Sequence, residues 1–234
     1  MDPPSTTLKD LSKKETSLTK TWSHTLHTAL KHHHEENKHF YKHRAEQATG
    51  WTNDTRTHTP PIPDFWLLSL RRERTTRKLV TKPDLGPLKA LIDVRVEWLQ
   101  GFDYVLVFCF APNEFFTNRV IRKAFYYENP EGGPCEPMET RGDRIYWRKN
   151  HILQAECHAR IGARSFFAFV SRSLETGEEG GIEGDFEFGR AIRDRLVPNA
   201  LGYHLGAFEG EGSGEEEEEE EEDEDEDGDY DMEW

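Results

Sequence analysis

The chain has 234 residues, with 45 acidic and 30 basic side chains and a net charge of −15. Eighteen of the acids and none of the Lys or Arg residues fall within residues 209–234, so the preceding body holds 27 acids against 30 bases. An arm of −18 on a body of +3 excludes docking of that arm on a bare phosphate backbone and asks for a basic protein partner or a basic patch on the chain itself.

Residues 1–50 are predicted to form one long helix. Thr7 and Asp10 make a capping pair at its start, Gly50 is a stop signal, and no Pro or Gly lies between. Apolar residues recur on a three- and four-residue rhythm: Leu8, Leu11, Leu18, Trp22, Leu26, Leu30, then Phe40, Tyr41, Ala45 and Ala48. About forty helical residues reach ~60 Å at ~1.5 Å each, far beyond what a small domain needs. Such a stripe requires a partner helix, and Leu18, Trp22, Leu26, Leu30, Phe40 and Tyr41 are its dimerisation residues in a coiled-coil-like seam.

Residues 51–63, WTNDTRTHTPPIP, read as a linker. DFWLLSLRRERTTRK (64–78) reads as an amphipathic helix with a basic end. LIDVRVEW (91–98) switches to period two, and DYVLVFCF (103–110) is apolar on both faces, as a central strand would be. RVIRKAFYYE (119–128) and DRIYWRK (143–149) supply two more strands on either side of the Pro/Gly loop NPEGGPCEPMETRG. SFFAFV (165–170) is a short aromatic segment. A Gly/Glu loop then leads to the helix DFEFGRAIRDRLV, with Asp185 as its N-cap and Pro198 as its break or kink. Residues 64–208 are therefore predicted as one α+β domain, a four-stranded antiparallel sheet with helices on one face, and residues 209–234 as a disordered acidic tail.

Candidate chemistry is sparse. Cys109, Cys135 and Cys157 share no CxxC spacing, which fits a reducing compartment rather than a disulfide framework. No apolar run approaches the roughly 20 residues of a membrane span, and MDPPSTTLKD has no basic-then-apolar leader; a soluble intracellular protein is expected. His32, His33 and His34 are adjacent, so a helix splays them, and only His39 and His43 share a face. No metal site is expected there. Asp223, Asp225, Asp227 and Gly228 imitate the start of a calcium loop, but its twelfth position is Trp234 and helices do not flank it. No nucleophile–base pair or phosphate loop is found, so neither an enzyme nor a cofactor is expected.

Several segments in order carry a resemblance: IPDFW (62–66), YVLVFCFAPNEFFTN (104–118), IYW (145–147), SFFAF (165–169) and GRAIRDRLVPNALGYHLGAFEGE (189–211), followed by the acidic tail. The chain resembles the nucleosome assembly protein family of histone chaperones, and is more similar to its founding branch than to the template-activating-factor branch. The resemblance implies a long dimerisation helix feeding an α+β "earmuff" domain, dimerisation with a second copy or a family member, and a concave acidic underside that takes histones. It departs in three places. The segment NHILQAECHARIGAR (150–164) is short where relatives carry a Lys-rich nuclear signal, the long helix is histidine-rich, and the body is nearly neutral.

The expected partners are core histones, as dimers or tetramers, with no direct nucleic-acid binding and no membrane. The expected location is nucleus and cytoplasm, with RRERTTRK (71–78) the one candidate import signal. The tail residues expected to bind histone charge are Glu215, Glu216, Glu217, Glu218, Glu219, Glu220, Glu221, Glu222, Asp223, Asp225 and Asp227, with Tyr230 and Trp234 as aromatic anchors. In the body the candidates are Glu114, by its place in the family pattern, and Glu178, Glu179, Glu183 and Asp185, in and beside the Gly/Glu loop. Charge shielding without ATP is the expected mechanism of nucleosome assembly and disassembly. The alternative is a non-catalytic interaction or regulatory module whose histone binding is weak or confined to the tail.

Overall fold

The computed structural model describes residues 5–49, 62–128, 135–149, 165–177 and 181–208. Its N-terminal arm is two helices, α1 (Ser5–Glu36) and α2 (Lys38–Thr49), where one was expected. The interruption is small. Asn37 N donates to His33 O (3.1 Å) and Tyr41 N to Asn37 O (2.9 Å), so the helical ladder continues across it. The Asn37 side chain donates to the same His33 carbonyl (2.8 Å), the local competition that makes asparagine a poor interior helix residue. Thr7 lies inside α1 and is not its cap. The many threonines of α1 are accommodated similarly: Thr16, Thr21, Thr25 and Thr28 each donate their hydroxyl to the carbonyl four residues back.

The predicted helix over 64–78 ends early, as α3 (Phe65–Arg72). Glu73 explains the stop. Its carboxylate accepts the amides of Thr75 (3.0 Å) and Thr76 (2.7 Å), which diverts them from the helical ladder. Two 3-10 turns (Thr76–Leu79 and Lys82–Asp84) and the single-turn α4 (Leu85–Leu88) then lead into the sheet.

The sheet has five strands in sequential antiparallel order: β1 (Leu91–Trp98), β2 (Tyr104–Phe110), β3 (Val120–Glu128), β4 (Glu136–Gly142) and β5 (Leu174–Glu175). The first three fall where the alternation placed them. The fourth does not. DRIYWRK (143–149) forms only an isolated bridge, Phe116 to Trp147, and β4 occupies part of the segment read as a Pro/Gly loop. Pro137 argues against a strand, yet it sits one residue into β4, next to a bulge in which Met138 is the extra residue opposite the Tyr126–Tyr127 step of β3. The aromatic segment after 164 is a helix, α5 (Phe166–Ser171).

One face of the sheet and the helices laid on it enclose a core rich in rings. Trp66 donates from its indole to Ile92 O (3.1 Å), pinning α3 to β1. Tyr104 stacks on Phe125 at 4.7 Å, and Phe125 meets Phe186 edge-on at 5.3 Å. Helix α6 (Ile182–Ala191) approaches this stack closely enough that a Cβ on Gly189 would lie 2.5 Å from the Phe125 ring. Beyond α6 the chain widens into a π-helical turn (Ile192–Leu196) and continues as α7 (Val197–Leu205). Pro198 is the cause: it has no N–H, and its ring crowds the preceding turn. The predicted kink appears as this wide turn and as Asn199 at φ −111°, ψ 17°. Arg44 reaches across from α2 to donate to Val197 O (2.5 Å), and its guanidinium lies over the rings of Tyr41 and Trp66, so the arm is tied to the kinked helix.

Asp185 is not the N-cap of α6. Gly181, at φ 72°, holds that position, and Asp185 is buried four residues in. There it pairs with Lys123 (2.6 Å) and with Arg172, and accepts a hydrogen bond from Thr140 (3.3 Å). Lys123 sits on the core face of β3 between Ile121 and Phe125, because strand alternation turns every second residue inward.

Candidate functional site

Helix α1 has two distinct faces. His24, His27, Lys31 and His34 turn towards the domain: the His27 ring lies 4.5 Å from Phe102 and 5.0 Å from Trp98, and Lys31 donates to Leu99 O (3.4 Å). Burial, with Arg193 next, lowers the pKa of His27. The other face carries the apolar stripe. Leu8, Leu18 and Trp22 are 65%, 62% and 66% exposed, and Leu11, Leu26 and Phe40 are exposed with them. Leu30 is half-buried. Tyr41 departs from the expected seam, since it turns inward against His34 (5.1 Å) and beneath Arg44. Large apolar side chains so exposed along one helix are a surface that normally meets a partner.

The histidines expected not to hold a metal are dispersed: His32 faces Glu36 (3.3 Å) and His43 faces Glu46 (3.8 Å). Among the described residues no group of three or more His, Cys, Asp or Glu is placed to hold an ion. No helix among them is long and apolar enough to cross a membrane.

The acidic candidates separate sharply. Glu114 is exposed on the turn after β2, where Asn113 Oδ1 accepts the amides of Phe115 and Phe116 (3.0 Å each). Glu183 is exposed in the first turn of α6. Asp185 has to be withdrawn from any surface set, because both of its oxygens are engaged inside the core. Glu178 and Glu179, and the whole acidic segment from 209 with Tyr230 and Trp234, lie outside the described residues.

The more consequential finding is what happens to the body's other acids. Glu73, Asp84 and Asp93 are buried along with Asp185. Glu73 pairs with Arg195 (2.9 Å) in addition to its two amides, Asp84 accepts from Ser165 (2.9 Å) and the Thr81 amide (2.9 Å), and Asp93 pairs with Arg95 (2.5 Å). Between residues 62 and 208, the described residues expose sixteen Lys and Arg but only seven Asp and Glu. Five further acids are half-buried, and exposed Arg95 and Arg195 are the partners of Asp93 and Glu73, so the body presents a modest cationic excess. The sequence contained no signal for this, because buried and exposed carboxylates count alike in a composition.

Comparison with known proteins places the chain. The family model described as nucleosome assembly protein matches residues 5–207. Mouse nucleosome assembly protein 1-like 4 is 32% identical over 184 aligned residues, which take in 62% of this chain and 48% of that protein. Bovine nucleosome assembly protein 1-like 1 is 31% identical over 179 residues, covering 62% of this chain and 46% of that protein. The chain thus spans about half the length of the curated relatives it matches. Among solved structures, nucleosome assembly protein 1 from Plasmodium knowlesi superimposes with a TM-score of 0.62 at 27% identity, over 86% of this chain and 94% of that one. A long N-terminal helix joined to an α+β domain with a sequential antiparallel sheet, together with these matches, establishes that the chain belongs to the nucleosome assembly protein family.

Proposed function

We propose that this protein is a dimeric histone chaperone in which the tail, rather than the body, supplies the charge that holds histones. The observation that carries this reading is the division of charge: 18 acids without a Lys or Arg in residues 209–234, against 30 bases and 27 acids in the preceding body. Histones are cationic, so a body without excess negative charge offers them little attraction, and the arm has to supply it. Each exposed ion pair contributes only ~0.2–1 kcal/mol, but many act together along one strand. Tyr230 and Trp234 add apolar anchors that salt does not screen. Shielded histones no longer aggregate, and DNA, with its higher charge density, takes them up without ATP.

Sedimentation tests this directly. At near-physiological salt, equimolar full-length protein is expected to keep purified core histones in the supernatant when DNA is added slowly. Histones that pellet with the protein as they do alone would end the proposal.

The dimer is the second element. Trp22→Glu together with Leu18→Glu places charges in the middle of the exposed stripe while touching no core residue. Analytical ultracentrifugation is expected to show a shift from dimer to monomer with an unchanged circular dichroism spectrum below 250 nm. An unaltered sedimentation coefficient would remove α1 as the seam.

A further inference from the structure

The segment 71–84 concentrates positive charge more completely in the fold than in its sequence. Arg71, Arg72, Arg74, Arg77, Lys78 and Lys82 are all exposed. The two acids interspersed with them, Glu73 and Asp84, are buried and committed to internal partners. The exposed charged side chains of this segment are thus all cationic.

Its position is the second observation. Helix α3, which carries Arg71 and Arg72 at its end, lies along α7, with Ser69 donating to Ala200 O (3.0 Å). Arg72 donates to Tyr203 O (3.2 Å) and to His204 O, at the last turn of α7. The chain then turns back at Gly206 (φ 75°). Phe208 folds against Tyr203 (4.8 Å between rings) and onto Gly202, where a Cβ would come within 2.5 Å of its ring. Phe208, the last described residue before the acidic segment, is accordingly held on the same turn of α7 that Arg72 contacts.

We propose that residues 209–234 dock on the basic face 71–82 of their own chain, as an internal occupant that a histone has to displace. Three features favour this occupant over a separate one. The charges are opposite and dense on both sides. The acidic segment has 26 residues, so at ~3.3–3.6 Å per residue it can lie along the whole face with length to spare. Tethering at residue 209 gives it an effective concentration in the millimolar range, far above that of a free polyanion. Docking through exposed pairs is shallow, which suits an occupant that has to leave. A client with few cations fails to displace it, and a densely cationic one succeeds, so the contact sets a threshold for what the tail accepts. The inference rests on the charge distribution and not on histone binding, and its test contains no histone.

Zero-length carbodiimide cross-linking of the full chain, read by mass spectrometry, joins a carboxylate to a neighbouring lysine amine. At about 0.15 M salt, links from residues 215–227 are expected to concentrate on Lys78 and Lys82. At about 1 M salt, where the Debye length falls to ~3 Å, they are expected to disappear. A variant with Arg71→Gln, Arg74→Gln and Arg77→Gln keeps both lysines and should lose these links about fivefold. The salt arm requires no variant and stands if that one misfolds. Links spread evenly over Lys31, Lys38, Lys89 and Lys149 as well, or persisting at high salt, would overturn the proposal. Absence of the links together with retardation of duplex DNA that the variant abolishes would also overturn it, and would give the face to nucleic acid.

Discussion

Replacing Asp185 by asparagine is expected to destabilise the protein by about 3–5 kcal/mol, the cost of leaving a buried charge without its partner. Asp185 faces Lys123 at 2.6 Å and Arg172 on its other oxygen, and Lys123 is completely buried, with Phe169 5.5 Å from its ammonium. Asparagine would leave two cations in the core opposite a neutral amide. Lys123→Met is the informative contrast. It removes the buried ammonium with little change in volume and leaves Asp185 paired with Arg172, so a change of about 1 kcal/mol or less is expected. Urea titrations of both variants decide the point, and equal costs would show that the triad is not asymmetric in this way. The pH dependence follows with a definite sign. Burial, opposed by Asp185, lowers the Lys123 pKa from 10.5 to about 8. Below about 8 the lysine is charged whether folded or unfolded, and the folded state bears the full cost of burying it. Between about 8 and 10.5 the unfolded chain binds more protons, so this group's contribution to stability rises with pH. The gain should be absent from Lys123→Met.

Deleting residues 209–234 is expected to lower histone affinity by about a hundredfold at near-physiological salt. That is the order expected when roughly a dozen pairs at ~0.2–1 kcal/mol each are offset by the entropy of ordering the strand. Isothermal titration of full-length and shortened protein against histone dimers measures it. Tyr230→Ala with Trp234→Ala should produce a smaller loss of similar size at two ionic strengths, because burial of a ring is not screened. Affinity unchanged by the deletion would overturn the tail as the source of the attraction and would mean that the body binds histones by some other chemistry.

What could be read in the sequence followed from periodicity. The apolar stripe of α1, the alternation of β1 to β3 and the aromatic segments of the core are all patterns that a single side-chain repeat fixes. The errors came from residues whose role depends on distant partners. The segment around Pro137 looked like a loop because the bulge at Met138 beside it appears only once β4 is paired with β3. Asp185 had the composition of a helix cap, but Lys123, 62 positions earlier in the chain, draws it inward. Lys123 itself gave no warning, since one lysine in an alternating strand looks like a surface residue. Tyr41 belonged to the stripe by spacing, and Arg44 turned it away. The burial of acids had the same cause: Glu73 and Asp84 look in sequence like exposed acids, and their distant partners Arg195 and Ser165 are visible only in the fold.

Those inward-facing carboxylates have a practical consequence for handling the protein. The overall isoelectric point, near 5.2, averages two parts of opposite sign, since residues 209–234 hold 18 acids and no Lys or Arg while the rest of the chain has 30 bases against 27 acids. On ion-exchange media the intact polypeptide should be retained by anion exchangers through its terminus, while proteolytic loss of that terminus leaves a product that migrates to the cation exchanger. A degraded preparation would then divide between two columns, and the fraction that binds the second one reports the loss.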